Sequence, residues 1–335
     1  MRDPVTEFRY PDAWVASCRD PELLEAVQSG HAVLTADGTV LRRGYTTGTT
    51  AAAAAKAAVL SLRTGRPVDS VTLTLPCGVA ATIPVTAGDG RASARKYPGD
   101  YPDDATADIA IVARATLLPS TDIHLHAGAG IGRHVRTTSR HRKGDPAISD
   151  GARAIIRSAV EEALGGAGGA LIELSIPDGD TRAARTLNRR VGVEGGLSIL
   201  GTTGLVEPWD DHLAASVMER VEAARDPVLT TGRIGLRHAR LRFPDREVIL
   251  VGGRIGEALD RAPRPVLLFG LPGLILRWID PRILEGTGYS TVEDLSHSPL
   301  WETVALPVLR SFCRRNPGME VTIITRDGEV IGGCG

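Results

Sequence analysis

A short apolar run, Leu197-Ser-Ile-Leu200, feeds directly into Gly201-Thr-Thr-Gly204, and no other junction constrains the fold as much. Buried strands end this way when a glycine turn lets the backbone approach a ligand closely. The Thr-Thr-Gly triplet recurs at Thr46–Gly48 and at Thr230–Gly232. Three copies of one small, polar turn predict a ligand met by backbone amides and hydroxyls, although threonine and glycine are also ordinary turn residues.

The second half repeats this rhythm. Val228–Leu229, Val248–Val251, Val266–Phe269 and Val321–Thr325 are short apolar runs, most of them followed by glycine turns and helical stretches. Buried strands alternating with helices predict a parallel, doubly wound sheet whose ligand sits at the carboxyl ends of the strands. Gly201–Gly204, Thr230–Gly232, Gly252–Gly256 and Gly270–Gly273 are all expected along that edge. No strict G-x-G-x-x-G follows a strand, which favours an adenosine-type ligand other than NAD.

The first half reads differently. The turn Gly44–Thr50 leads into the alanine-rich stretch Ala51–Leu62, a strong helix former that Thr49 or Thr50 can cap. Its positive end is expected to face whatever the Thr-Thr-Gly turn binds. Alternating segments at 71–75, 81–85, 109–113 and 123–126 predict half-buried, mainly antiparallel strands. A helix over Asp150–Leu164 is broken by Gly165–Gly169, and Leu171–Ile176 is a further strand. With 335 residues, the chain is expected to form two domains. They are an N-terminal α+β domain over residues 1–170 and a Rossmann-like α/β domain over 171–335.

Composition excludes several classes. A net charge of -1 argues against nucleic-acid binding. No apolar run nears the roughly 18 residues that span a membrane, and the charged start Met1–Phe8 is no signal peptide. Cys18, Cys77, Cys313 and Cys334 form no C-x-x-C pair, which predicts reduced thiols, no metal site and a cytoplasmic protein. A homo-oligomer is left open, because the sequence does not fix the assembly.

Two segments carry chemistry. In Arg95–Asp104, prolines stiffen a loop that presents Asp100 and Asp103 in a fixed arrangement, suited to holding a proton or orienting a ligand. From Arg133 to Lys143, five Arg or Lys and two His occur with no acid. Arg133 and Arg136 in that run suit the carboxylates of an anionic small molecule.

Gly44–Ala58, the loop residues Lys96, Gly99, Asp100, Pro102 and Asp103, the stretch Asn188–Pro208 and Ile255–Asp260 together resemble the cobalt-precorrin-5B C(1)-methyltransferase (CbiD-like) family. The resemblance implies a cytoplasmic C-methyltransferase of cobalamin biosynthesis that uses S-adenosylmethionine. It implies a cofactor site at Gly201, Thr202, Thr203, Gly204 and Glu207, helped by Thr231, Gly232 and Gly253. It implies catalytic roles for Asp100, Asp103 and Lys56, the last pairing with an anion. Substrate contacts are expected at Thr46, Thr47, Thr49, Thr50, Lys96, Arg133 and Arg136. The chain departs from the family pattern at Thr50, Tyr97, Tyr101, Leu271–Leu274 and Gly286–Trp301. Those departures point to an alternative, a repurposed enzyme that alkylates a smaller substrate or converts S-adenosylmethionine itself. A non-catalytic nucleotide-binding scaffold and an NAD-dependent dehydrogenase are the remaining readings.

Overall fold

A computed structural model describes residues 1–101, 104–138, 141–186, 188–189, 191–208 and 217–335. The chain forms two units: Gln28–Ala32 with Leu41–Asp210, and Met1–Val27 with Val33–Val40 and Asp211–Gly335. Both mix helices and sheets.

In the 41–210 unit, six strands make one sheet: β1 (Val68–Thr74), β2 (Ala80–Gly88), β3 (Arg91–Arg95), β4 (Ala110–Leu118), β5 (Ile123–Ala127) and β6 (Gly169–Ser175). Their spatial order is β1-β2-β3-β4-β6-β5, antiparallel throughout except for the parallel pair β6 and β5. The alternation in the sequence is what sets this register. Along β2, Ala81, Ile83, Val85 and Ala87 are buried while Thr82, Pro84 and Thr86 face water.

Helix α1 (Thr47–Thr64) covers the buried face and is itself buried on every side from Thr47 to Val59. Alanine makes this possible, because a single methyl lets β1 to β4 and helix α2 (Asp150–Leu164) approach closely. Both helices end at a left-handed glycine, Gly65 and Gly165, the second of them as the sequence predicts. Helix α2 supplies the crossover between the parallel strands β5 and β6.

Two sequence expectations do not hold here. The expected domain boundary at residue 170 falls inside β6, where Leu171 pairs with Thr116 on one side and His124 on the other. The run Leu197–Leu200 is not a sheet strand; Leu197 and Ile199 make isolated bridges to Ile131 and Ile148. Gly195 and Gly196, both at positive φ, turn the chain just before it, and a Cβ at Gly196 would lie 2.3 Å from the Gly130 carbonyl oxygen.

In the 211–335 unit, β7 (Val228–Thr230), β8 (Val248–Leu250), β9 (Val266–Gly270), β10 (Met319–Ile324) and β11 (Val330–Cys334) form a second sheet. Its order is β8-β7-β9-β10-β11, with the first four strands parallel and β11 antiparallel. Helices α3 (Arg233–Arg242), α4 (Ile255–Arg261), α5 (Pro272–Ile279) and α6 (Trp301–Arg315) accompany it. Alternate strand residues feed two apolar clusters. Leu229, Ile249, Leu268 and Val321 pack with Leu259, Ile275 and Leu309, while Val228, Val248, Leu267 and Phe269 pack with Leu236 and Ala239. Both faces are thereby covered, which is why these strands read as unbroken apolar runs.

The expectation of four reduced thiols is corrected at Cys313 and Cys334, which form a disulfide. Helix α6 lies along β11 and brings their Cα atoms to 6.1 Å across 21 residues of sequence. Cys18 and Cys77 are free. No helix among the described residues is long and apolar enough to cross a membrane.

Candidate functional site

The first two Thr-Thr-Gly turns meet each other. Thr46 caps α1, its hydroxyl accepting from the Thr49 amide at 3.1 Å. The Gly48 amide donates to the Leu200 carbonyl at 2.8 Å, and Thr47 Oγ1 accepts from the Leu200 amide at 2.8 Å. Thr49 Oγ1 donates to the Gly204 carbonyl at 2.7 Å, and Thr50 Oγ1 to the Thr46 carbonyl at 3.0 Å. Thr47, Thr49 and Thr50 are buried. The helix N-terminus thus donates to the chain's own oxygens. The approach is close enough to require glycine, since a Cβ on Gly48 would sit 2.9 Å from the Leu200 carbonyl oxygen. Within the second turn, Thr202 is exposed and Thr203 Oγ1 bonds the backbone of Leu205.

Glu207, expected at the cofactor, accepts from Arg43 Nε at 3.2 Å through Oε1. Arg43 is almost wholly buried and also donates to the Gly30 carbonyl at 3.0 Å. Arg43 carries no expectation from the sequence, although a charge immediately before the Gly44 signature marks it.

Lys96 is buried against Asp104, which the sequence reading did not single out from its neighbours. Burial alone would raise the Asp104 carboxyl, but the Lys96 charge, its hydrogen bond and those from Thr106 outweigh it and hold Asp104 below its usual value. Burial pulls the Lys96 ammonium below its usual value, against the attraction of Asp104. Asp100 is exposed and accepts from the Arg42 amide at 2.7 Å, while Asp103 lies outside the described residues. Lys56 finds its anion within the chain: it pairs with Glu162 at 2.8 Å and donates to the Thr72 carbonyl at 2.7 Å.

The basic segment is exposed at Arg133 and Arg136. Arg133 donates from Nη1 to the Gly144 carbonyl at 3.0 Å and from Nη2 to the Ala127 carbonyl at 3.2 Å, which ties its guanidinium head to the loop. His134 and His141 stack with ring centroids 4.1 Å apart, and burial followed by the His141 charge lowers the His134 pKa.

A cavity of about 570 Å³ opens in the 211–335 unit. That volume lies within the roughly 300–1,000 Å³ of small-molecule sites. It is lined by Thr231 and Gly232 after β7, by Leu271–Leu274 after β9, and by Thr325–Asp327 and Glu329 after β10. Glu293, Ser296 and His297 complete that lining from the short helix Val292–Ser296 and its end. In the order β8-β7-β9-β10 the chain reverses direction between β7 and β9. The cavity lies at the carboxyl ends of those two strands, which is where parallel sheets of this kind bind ligands. The N-termini of α3 and α5 meet it, and Gly235 lets α3 press on Gly270, where a Cβ would lie 3.1 Å from the Gly270 Cα.

The cofactor residues expected from sequence therefore divide. Thr231 and Gly232 line the cavity, Gly253 is not among the described residues that do, and Gly201–Gly204 and Glu207 belong to the 41–210 unit. Glu293, Ser296, His297 and the 325–329 turn, which also line the cavity, carry no expectation from the sequence. The turn residues Thr325-Arg-Asp-Gly328, directly after the last parallel strand, were the available signal.

A family model described as CbiD matches residues 34–208. The cobalt-precorrin-5B C(1)-methyltransferase of Methanoregula boonei is 56% identical over 333 residues, covering 99% of each chain. That of Methanoculleus marisnigri is 52% identical over 339 residues with the same coverage. The crystal structure of a cobalamin biosynthesis protein (CbiD) from Archaeoglobus fulgidus superimposes with a TM-score of 0.55 at 35% identity, covering 83% of this chain and 93% of that one.

Proposed function

We propose a function from one premise: the chain belongs to the CbiD family. It is an S-adenosylmethionine-dependent C-methyltransferase, and its acceptor is cobalt-precorrin-5B, which the named relatives methylate at C1. The departures at Thr50 and in the C-terminal segment sit inside a chain matched over 99% of its length by such a relative, so a repurposed activity is not favoured.

The observation that carries the donor site is the cavity at the β7 and β9 carboxyl ends. We read the parallel sheet around it as Rossmann-like. Its volume, its polar wall and the amide-rich starts of α3 and α5 fit a ligand with an adenosine, a carboxylate and a positive centre. S-Adenosylmethionine supplies a methyl carbon activated by its sulfonium. Thr231, Gly232 and the first turn of α3 hold the donor, so orientation rather than covalent chemistry provides much of the rate. For the acceptor, Arg133 and Arg136 offer exposed guanidinium groups to its carboxylates. Asp100, held by the Arg42 amide, and Asp103 orient the acceptor or take its proton.

Gly232→Val tests the donor site. A Cβ there meets nothing within 4 Å, so the fold tolerates the change while the side chain occupies the cavity. Calorimetry is expected to show at least a roughly tenfold loss of S-adenosylmethionine affinity, about 1.4 kcal/mol, with an unchanged melting temperature. Unaltered affinity would move the donor elsewhere. Turnover strictly dependent on the added tetrapyrrole separates methyl transfer from conversion of the donor alone.

A further inference from the structure

We propose that this cavity distinguishes the methyl donor from its spent product by charge, and that Asp327 and Glu329 make the distinction. The inference rests on the reading of the cavity as the donor site. S-Adenosylmethionine carries a sulfonium charge that S-adenosylhomocysteine lacks, and apart from that methyl the two molecules are the same.

Three carboxylates and one guanidinium line the cavity: Glu293, Asp327, Glu329 and Arg326. Arg326 donates from Nε and Nη2 to both carboxylate oxygens of Glu293, at 2.5 and 3.0 Å, so that pair cancels. Among the described residues no ion pair engages Asp327 or Glu329. Two negative charges are left facing the cavity.

These charges sit on a turn that is already set. The Thr325 amide donates to the Glu329 carbonyl at 2.8 Å, and the Glu329 amide returns to Thr325 Oγ1 at 3.1 Å. The Gly328 amide bonds the Thr325 carbonyl at 3.1 Å, and His238 Nε2 holds the Arg326 carbonyl at 3.0 Å. Gly328 has a φ of +85°, and a Cβ there would lie 2.6 Å from the His238 ring, so the turn has little freedom to shift. The backbone that carries the two carboxylates is thus set before a cation arrives. The helix N-termini at Gly232 and Leu271 favour the amino-acid carboxylate, which donor and product share and which therefore cannot discriminate.

Asp327 and Glu329 are exposed, so water and salt screen them. At about 5 Å and a dielectric near that of water, one such charge is worth roughly fourfold in affinity at low salt. The preference also serves turnover, because the cavity's attraction falls when the methyl leaves.

The test is calorimetric titration of the intact protein with S-adenosylmethionine and with S-adenosylhomocysteine, at low and raised salt. It compares the natural chain with Asp327→Asn, Glu329→Gln and the double variant, with melting curves as the control for folding. The natural chain is expected to favour the sulfonium about tenfold at low salt and less at high salt. In the double variant that ratio should fall towards one while product affinity stays constant. A ratio near one in the natural chain, a ratio that survives both substitutions, or an equal loss of both ligands overturns the charge assignment. Binding of neither ligand to the natural chain overturns the donor reading as well.

Discussion

His238 shows how one side chain can report on a wall of the site. It is 2% exposed, its Nε2 bonds the Arg326 carbonyl, and its Nδ1 has no partner among the described residues. The Phe8 ring packs against it with centroids 5.0 Å apart. Burial lowers its pKa to about 4; the Arg237 and Arg242 charges push the same way, while the Arg326 carbonyl and Asp327 oppose. The folded state therefore keeps the ring neutral between about pH 6.5 and pH 4, where the unfolded chain takes up a proton. This contribution to stability is present above pH 6.5 and is lost as pH falls through that window. Its size is about 3 kcal/mol. Urea unfolding at pH 7 and pH 4.5 should show His238→Gln losing less stability on acidification than the natural chain. Nothing in the sequence around position 238 marks this residue, because its environment comes from the N-terminal arm and the 325–329 turn.

At the scale of the element, α1 was legible and its use was not. Alanine content announces a helix, but the cap is Thr46 rather than the expected Thr49 or Thr50, and the helix runs on to Gly65. Whether its threonines face a ligand or another loop depends on a contact 150 residues away. Thr49 is the sharpest probe of that contact, since its hydroxyl is buried between Thr46 Oγ1 and the Gly204 carbonyl. Thr49→Val keeps the volume and removes the hydrogen bond, which leaves the Gly204 carbonyl with the Thr46 amide as its remaining donor. Chemical denaturation should show a loss of about 0.5–1.5 kcal/mol. Calorimetry should show unchanged S-adenosylmethionine affinity. A large loss of donor binding at unchanged stability would return this turn to the ligand. The strand expected at 197–200 failed for a related reason: apolar residues mark burial, but Gly195 and Gly196 decide the direction of the chain there.

For the whole molecule, the division of the chain into units is not a cut at one point. Met1–Val27 and Val33–Val40 belong with Asp211–Gly335. Phe8 and Tyr10 are buried there, Asp3 pairs with Arg237 at 2.9 Å, and the Ala36 amide donates to the Leu241 carbonyl at 2.7 Å. A fragment of residues 211–335 loses all of these and exposes the face of α3 that they cover. Circular dichroism melts should find that fragment unfolded or far less stable than the intact protein, and a peptide of residues 1–40 added in trans should restore part of the transition. A fragment as stable as the full chain would show the arm to be dispensable.

What the sequence determined by itself were the properties that depend on near neighbours. Alternation wrote most strands of the first sheet, unbroken apolar runs wrote the parallel strands of the second, and the glycine at 165 closed its helix. Its motifs also carried the family, because they persist as strings of residues. The tertiary structure alone decided which polar groups satisfy one another. Lys56 meets Glu162, Arg43 meets Glu207 and Cys313 meets Cys334. Thr-Thr-Gly at 46 and at 202 clasp each other, while the copy at 230 lines a cavity. A buried charge or amide is paired by whichever group folding brings to it, and that group is set by the packing of sheets and helices rather than by distance along the chain.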